Sequence, residues 1–328
     1  MSRPGLRQGA RRDAEGRFLN PDGGPSGQPL GRLFRMFREG QGTPWPREVR
    51  DPPQPPPAEP PAGHAAITFV GHSTFLIRIA GGPTLLTDPI WSERCSPFTF
   101  LGPRRARAPG LALEALPPID AVLVSHNHYD HMDVTTLRRL RGTRIVTGLN
   151  NAPILARNGI PSAEELDWWS ETTVGTATVT YLPARHFSAR GIGDRGRSLW
   201  GGFAIRVAAG SILFAGDTAY GGHLAEIGVE LGPFGIGLIP IGAYEPRWFM
   251  RAVHMNPEEA VRARADLRVE TAVAMHFGTF KLTQEGIDAP GEALAAECAS
   301  TGLNPDRFRL PRFGETMILP LWPGLPTG

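Results

Sequence analysis

Six consecutive residues, His126-Asn127-His128-Tyr129-Asp130-His131, place three imidazoles and a carboxylate in one short segment. Neutral imidazole and carboxylate are the ligands that zinc takes outside cysteine sites. Four such groups are too many for one tetrahedral ion that keeps a position open, and they suit two ions sharing a loop. The motif therefore predicts further ligands downstream, and His186, Asp217 and His276 meet that need. Two neighbouring ions generate a hydroxide nucleophile at neutral pH and clamp a displacement at phosphorus or carbon. The chemistry expected is hydrolysis. Taken singly, His186, Asp217 and His276 read as surface or core polar residues, and it is the first motif that makes ligands of them.

Such groups converge only if the chain brings them to one rim. The first motif follows Ala121–Ser125, an apolar run that reads as a buried strand. His186 follows the strand pattern 176–182, Asp217 follows 212–215 and His276 follows 271–275. A strand end lifts side chains to a sheet edge, where loops carry function. Further strands are expected at 67–70, 75–79, 84–87, 143–147, 203–207 and 237–241, with a hairpin at Ala209-Gly210. Asp133 reads as the N-cap of a helix through Leu137 and Leu140, and Pro257 opens a helix to Ala265. The expectation is a two-sheet α/β sandwich with helices outside. No repeat of fixed period is visible.

Residues 1–63 have a different composition. They hold ten arginines against seven acidic residues and end in the proline-rich run Pro52–Pro61. This segment is expected to form an arm of loop and extended chain, with the hydrolase domain spanning 64–328. One stretch within it is patterned: Leu30, Leu33, Phe34 and Phe37 alternate with Arg32, Arg35 and Arg38 as a short amphipathic helix would. It either packs on the main domain or on a second subunit in a homodimer, or lies on a membrane surface.

The whole chain has 328 residues, 41% hydrophobic, with a formal net charge of +2. A charge this small argues against nucleic acid as a partner. Cys95 and Cys298 make neither a disulfide framework nor a cysteine zinc site. The N-terminus lacks the apolar core of a signal peptide, and no apolar run approaches the ~20 residues needed to span a bilayer. The expected location is the cytoplasm, with any membrane contact peripheral, at the inner face.

The metal motif, Gly216-Asp217-Thr218 and His276 resemble the metallo-β-lactamase superfamily. A narrower resemblance, to the N-acylphosphatidylethanolamine-hydrolysing phospholipase D family, is carried by Thr87-Asp88-Pro89-Ile90-Trp91-Ser92, Gly102-Pro103-Arg104, Leu116-Pro117-Pro118-Ile119-Asp120 and the string Ile239 to Met250, IPIGAYEPRWFM. Trp200-Gly201-Gly202-Phe203 and His276-Phe277-Gly278-Thr279-Phe280 fit it too, and the likeness runs from about Ile67 to Phe313. It implies an αββα sandwich with two mixed sheets flanked by helices. It also implies two zinc ions, or other divalent transition metals such as iron. One would be held by His126, His128 and His186, the other by Asp130, His131 and His276, with Asp217 bridging. The implied reaction cleaves an N-acyl phospholipid to phosphatidic acid and an N-acylethanolamine.

The same resemblance places an active-site histidine at His254, which otherwise reads as a helix-capping or surface residue. Asp88 is expected to orient a ligand histidine from behind, or to form a turn before proline. Arg247 could fork onto phosphate or make an ordinary ion pair. Trp248, Phe249 and Met250 offer either an apolar rim for an acyl chain or core. His72 lines the site or is a satisfied buried histidine, and His64 and His223 are background. The competing function is a metal-dependent lactonase or ester hydrolase acting on a small soluble metabolite, since a shared hydroxide permits both.

Overall fold

The computed structural model describes residues 7–25, 31, 35, 38, 40, 42–191 and 193–321. The stretch Leu30–Arg38 lies outside them except for Gly31, Arg35 and Arg38.

Two seven-stranded sheets face each other. The first is built from β1 (His64–Gly71), β2 (Thr74–Ile79), β3 (Thr84–Thr87), β4 (Ala121–Val124), β5 (Arg144–Gly148) and β6 (Ala163–Leu166). The second is built from β7 (Glu171–Val174), β8 (Ala177–Leu182), β9 (Gly202–Val207), β10 (Gly210–Phe214), β11 (Phe234–Pro240), β12 (Val269–Met275) and β13 (Phe308–Arg309). The last strand, β14 (Thr316–Pro320), returns to pair antiparallel with β1 and closes the first sheet. Both sheets are mixed in the same way. Strands β1 to β3 and β7 to β10 run antiparallel, and β3 to β6 and β10 to β13 run parallel. The two halves thus share a design that no residue repeat announces.

Three apolar layers hold this arrangement. Between the sheets lie Phe69, Phe75, Ile77, Tyr181, Trp200, Phe203, Ile205 and Phe214, all fully buried. Outside the first sheet, helices α1 (Val134–Arg139) and α2 (Ala152–Arg157) press Val134, Leu137 and Leu155 onto Val122 and Ile145. Outside the second, α3 (Gly222–Glu230), α5 (Pro257–Asp266) and α6 (Ala289–Thr301) cover Leu213, Ile239 and Ala272 with Leu224, Val261 and Leu294. A further single turn, α4 (Arg247–Met250), stands apart over the rim. The order is helix, sheet, sheet, helix, as expected. Burial of these faces removes apolar surface from water at about 25 cal/mol per Å².

Among the described residues before β1, the stretch 7–25 reaches the core. Phe18 is 1% exposed and meets Trp200 edge-on at 6.5 Å. Its backbone N–H bonds Gly196 O at 2.7 Å, and Arg12 lies 4.1 Å over its ring. Phe18 is a residue of this segment that joins the core between the sheets.

Candidate metal centre

The loop after β4 turns at once. Met132 N–H bonds His128 O at 2.8 Å, and Asp133 then caps α1 by accepting from Thr135 N–H at 3.0 Å. A turn pinned at both ends throws His126, His128, Asp130 and His131 toward the opposite sheet. Asp217 follows β10 after Gly216, whose φ is +60°, and a Cβ there would lie 2.4 Å from Gly201 O. Only glycine tolerates both the left-handed backbone and that approach. His276 follows β12 with φ +60°, and His72 and Asp88 also have positive φ, of 57° and 33°. Strained backbone of this kind, uncommon outside glycine, gathers at functional sites.

The structure brings the seven residues together. His126, Asp130, His131, His186, Asp217 and His276 are buried and His128 nearly so. Asp217 Oδ2 lies 3.1 Å from His131 Nε2 and from His276 Nε2, 3.8 Å from His186 Nε2 and 4.0 Å from His126 Nε2. On one side of it His126, His128 and His186 form a group, with His128 Nδ1 2.9 Å from His126 Nε2 and 3.3 Å from His186 Nε2. On the other side stand Asp130, His131, His276 and also His72. Here Asp130 Oδ2 is 3.4 Å from His131 Nε2 and 3.5 Å from His276 Nε2.

The donor set fits metal ions. His131 Nε2, His276 Nε2 and Asp217 Oδ1 are buried without a hydrogen-bond partner among the described residues. Buried polar atoms are normally satisfied, so lone pairs converging unsatisfied on one spot are the mark of ligands.

The outer partners fix which nitrogens face inward. Asp88 Oδ2 accepts from His131 Nδ1 at 2.7 Å and from Ser125 Oγ at 2.5 Å. With its only proton committed to Asp88, Ser125 Oγ accepts from His126 Nδ1 at 2.9 Å. A single carboxylate thus orients one histidine of each group, directly and through a serine. His186 Nδ1 donates to Val253 O at 2.9 Å, and His186 N–H donates to Asn20 Oδ1 at 3.0 Å. His72 Nε2 donates to Asp130 Oδ2 at 2.9 Å. Such contacts set tautomer and ring orientation.

Electrostatics divides the two groups. Burial lowers the pKa of His126 well below the usual value, of His128 to about 3 and of His186 to about 4. Burial works the same way on His131 and His276, but there the carboxylates of Asp217 and Asp130 overcome it. His131 is raised well above the usual range and His276 to about 9.

The remaining expected residues are placed as follows. His254 is buried, with its ring 4.9 Å from His186 and 5.2 Å from His276, and burial pushes its pKa well down. Arg247 does not hold its fork free for phosphate, which corrects that expectation. Its Nη2 bonds Glu259 Oε2 at 2.7 Å, and its Nη1 bonds His254 O at 3.1 Å. Glu259 also closes the capping box of α5 with Asn256, so Arg247 locks the turn that carries His254. Trp248 is 36% exposed, with Arg35 stacked 4.5 Å over it, whereas Phe249 and Met250 are buried with Val253. Phe187 packs on that cluster and meets His128 at 4.5 Å, giving the first group an apolar flank. His223, set aside as background, is buried and 2.9 Å from Thr218 Oγ1, next to Asp217. Ser125 and Asn20 escaped sequence reasoning because nothing local marks a relay serine or a brace 166 positions away.

Known proteins resemble this chain in sequence and fold. Residues 84–277 match the family model described as Beta-lactamase superfamily domain. An uncharacterised protein of Mycobacterium tuberculosis is 41% identical over 243 residues, covering 72% of this chain and 64% of that protein. The N-acyl-phosphatidylethanolamine-hydrolyzing phospholipase D 1 of Caenorhabditis elegans is 37% identical over 230 residues, 66% of this chain and 64% of that one. The chain therefore spans less than two thirds of the length of these two relatives. A UPF0173 metal-dependent hydrolase of Rubrobacter xylanophilus is 32% identical over 224 residues, 66% of this chain and 84% of that one. Among solved structures, the isothiocyanate hydrolase from Delia radicum gut bacteria superposes with a TM-score of 0.62 at 22% identity, covering 77% of this chain and 98% of that one.

Proposed function

This chain belongs to the metallo-β-lactamase superfamily of metal-dependent hydrolases, and from that premise we propose that it is a binuclear zinc phosphodiesterase of phospholipase D type. Its substrate is an N-acylphosphatidylethanolamine, cleaved to an N-acylethanolamine and a phosphatidic acid. The observation that carries the binuclear reading is the position of Asp217, whose Oδ2 lies within 4.0 Å of ring nitrogens from both ligand groups.

His126, His128 and His186 would hold one ion and Asp130, His131 and His276 the other, with Asp217 between them. Ions bound there would activate a water and neutralise charge on the phosphoryl oxygens. The chain's own residues do the rest. Asp88 keeps His126 and His131 with their lone pairs inward. His254, its ring 4.9 Å from His186 and 5.2 Å from His276, stands where a proton could be passed to the departing alkoxide. Arg247 holds the His254 backbone in place. Phe187 and the apolar turn behind it give an acyl chain a surface beside His128, where each buried methylene contributes ~0.8 kcal/mol. The phospholipase relative supports the lipid substrate.

The test is product identification by mass spectrometry. Long-chain N-acyl phospholipid, a soluble phosphodiester with the same headgroup and a panel of lactones are compared by kcat/KM. The long-chain lipid should be the best substrate, and His254→Ala should lose about 100-fold with metal content unchanged. Equal rates on long and short phosphodiesters would remove the lipid. Strong lactone turnover without phosphodiester cleavage would establish a soluble-metabolite lactonase instead.

A further inference from the structure

His223 belongs to neither ligand group, yet it is a buried polar side chain that the proposed chemistry leaves unused. It lies in the first turn of α3, on the inward face with Leu224 and Ile227. Its Nε2 is 2.9 Å from Thr218 Oγ1. Thr218 is itself buried and directly follows Asp217, the carboxylate between the two groups.

Thr218 ties together three segments. Its Oγ1 accepts from Arg185 N–H at 3.0 Å, and Ala219 N–H donates back to Arg185 O at 2.8 Å. Arg185 precedes His186, so the loops after β8 and β10 are laced together one residue away from a ligand on each. Thr218 O accepts from Met255 N–H at 3.2 Å, and Met255 follows His254. The chain at Asp217, His186 and His254 therefore converges on one threonine.

A threonine hydroxyl has one proton and two lone pairs. Here the proton goes to Ala219 O at 2.9 Å, and one lone pair takes the Arg185 N–H. The other is left for His223, whose Nε2 must then donate. Three partners saturate the hydroxyl and fix its orientation. Removing the imidazole would strand a lone pair in a buried place and leave the hydroxyl bonded only to nearby main chain, which destabilises that arrangement. His223 is in turn fixed by packing. Leu224 and Ile227 share one apolar cluster with Leu182 and Leu213, which lie in β8 and β10, the strands that lead to His186 and Asp217.

We propose that His223 is a positioning residue of the metal centre, acting through the Thr218 hydroxyl to hold Asp217 against His186. The separation it governs is the 3.8 Å between Asp217 Oδ2 and His186 Nε2. The inference rests on the binuclear reading of Asp217 and is independent of the substrate. Hydrogen-bond partners behind metal ligands change affinity by about 10- to 100-fold, and His223, one bond further out, belongs at or below the low end of that range.

The test is a double-mutant cycle on zinc affinity in the full chain, read by competition with a chelator. Thr218→Val keeps the side-chain shape and removes the hydroxyl, and His223→Leu removes the imidazole. T218V should weaken zinc binding about tenfold and H223L about three- to tenfold, while T218V/H223L should bind as T218V does. His223→Gln keeps a side-chain N–H and should restore most of the loss. In the cobalt(II)-loaded protein, the visible absorption should shift in H223L and return in H223Q. Thermal unfolding of the metal-free variants reports on folding. If T218V does not fold, H223L and H223Q decide by themselves. Unchanged zinc affinity in H223L, or an equal loss in H223Q, would overturn the role. So would losses that add in the double variant, which would make His223 a packing residue of α3. A wild type that binds one zinc removes the binuclear reading, and the same cycle on that single ion still decides His223.

Discussion

The two ligand groups on either side of Asp217 are made differently. His126, His128 and His186 form a wholly imidazole group whose outer partners are uncharged, Ser125 Oγ and Val253 O. The other group contains the carboxylate of Asp130, and its outer partners are Asp88 and His72. The consequence is a difference in proton affinity. Burial lowers the pKa of the first three rings, while the carboxylates of Asp217 and Asp130 raise those of His131 and His276. A buried carboxylate that awaits a cation borrows protons from its neighbours. If each group takes an ion, the Asp130 group is expected to release more protons on binding than the imidazole group.

The comparison can be broken most forcefully at its hinge. Asp217→Asn weakens the one group common to both sides, and turnover should fall on the order of 100-fold or more. Activity within a few-fold of wild type would show that Asp217 does not couple the two groups. Asp88→Asn asks whether the outer carboxylate serves both sides. Because it reaches His131 directly and His126 only through Ser125, metal affinity should drop about 10- to 100-fold, more at the Asp130 group. Competitive chelator titration reads this, and equal losses at both sites would contradict the relay. The smallest effect is expected from Asn20→Ala, which removes the acceptor of His186 N–H. Only the imidazole group should weaken, by about 1 kcal/mol or several-fold. A loss confined to the Asp130 group would place the arm's influence elsewhere.

The part of this centre that was legible in the sequence is the part encoded locally. Each ligand follows an apolar run short enough to read as a strand, so position at a strand end was visible for His126, His186, Asp217 and His276 alike. The central strands of both sheets were legible for the same reason, usually to within a few residues. The edges were not. β6 reads AEEL and β7 reads ETTV, polar sequences of the kind that edge strands carry to avoid pairing with strangers. Phe18 was hidden because a lone aromatic among charges has no periodicity to report. The two readings of Arg247 could not be told apart in the sequence, because only the fold shows that its guanidinium is engaged by Glu259 in the first turn of α5. Sequence indicates which groups gather, whereas the contacts that orient them come from distant segments.

The account stands or falls on two unequal metal sites, and calorimetric zinc titration of metal-free protein tests that most directly. Two equivalents per chain should bind. Repeating the titration in buffers of different ionisation enthalpy should show one event releasing about two protons, from His131 and His276, and another releasing few. Affinity at the Asp130 group should fall as pH drops below about 9, where His276 takes up its proton. The imidazole group should hold its affinity until protons compete for His186 and His128 near pH 4 and 3. A single equivalent, or two events with the same proton release and pH dependence, would contradict the account.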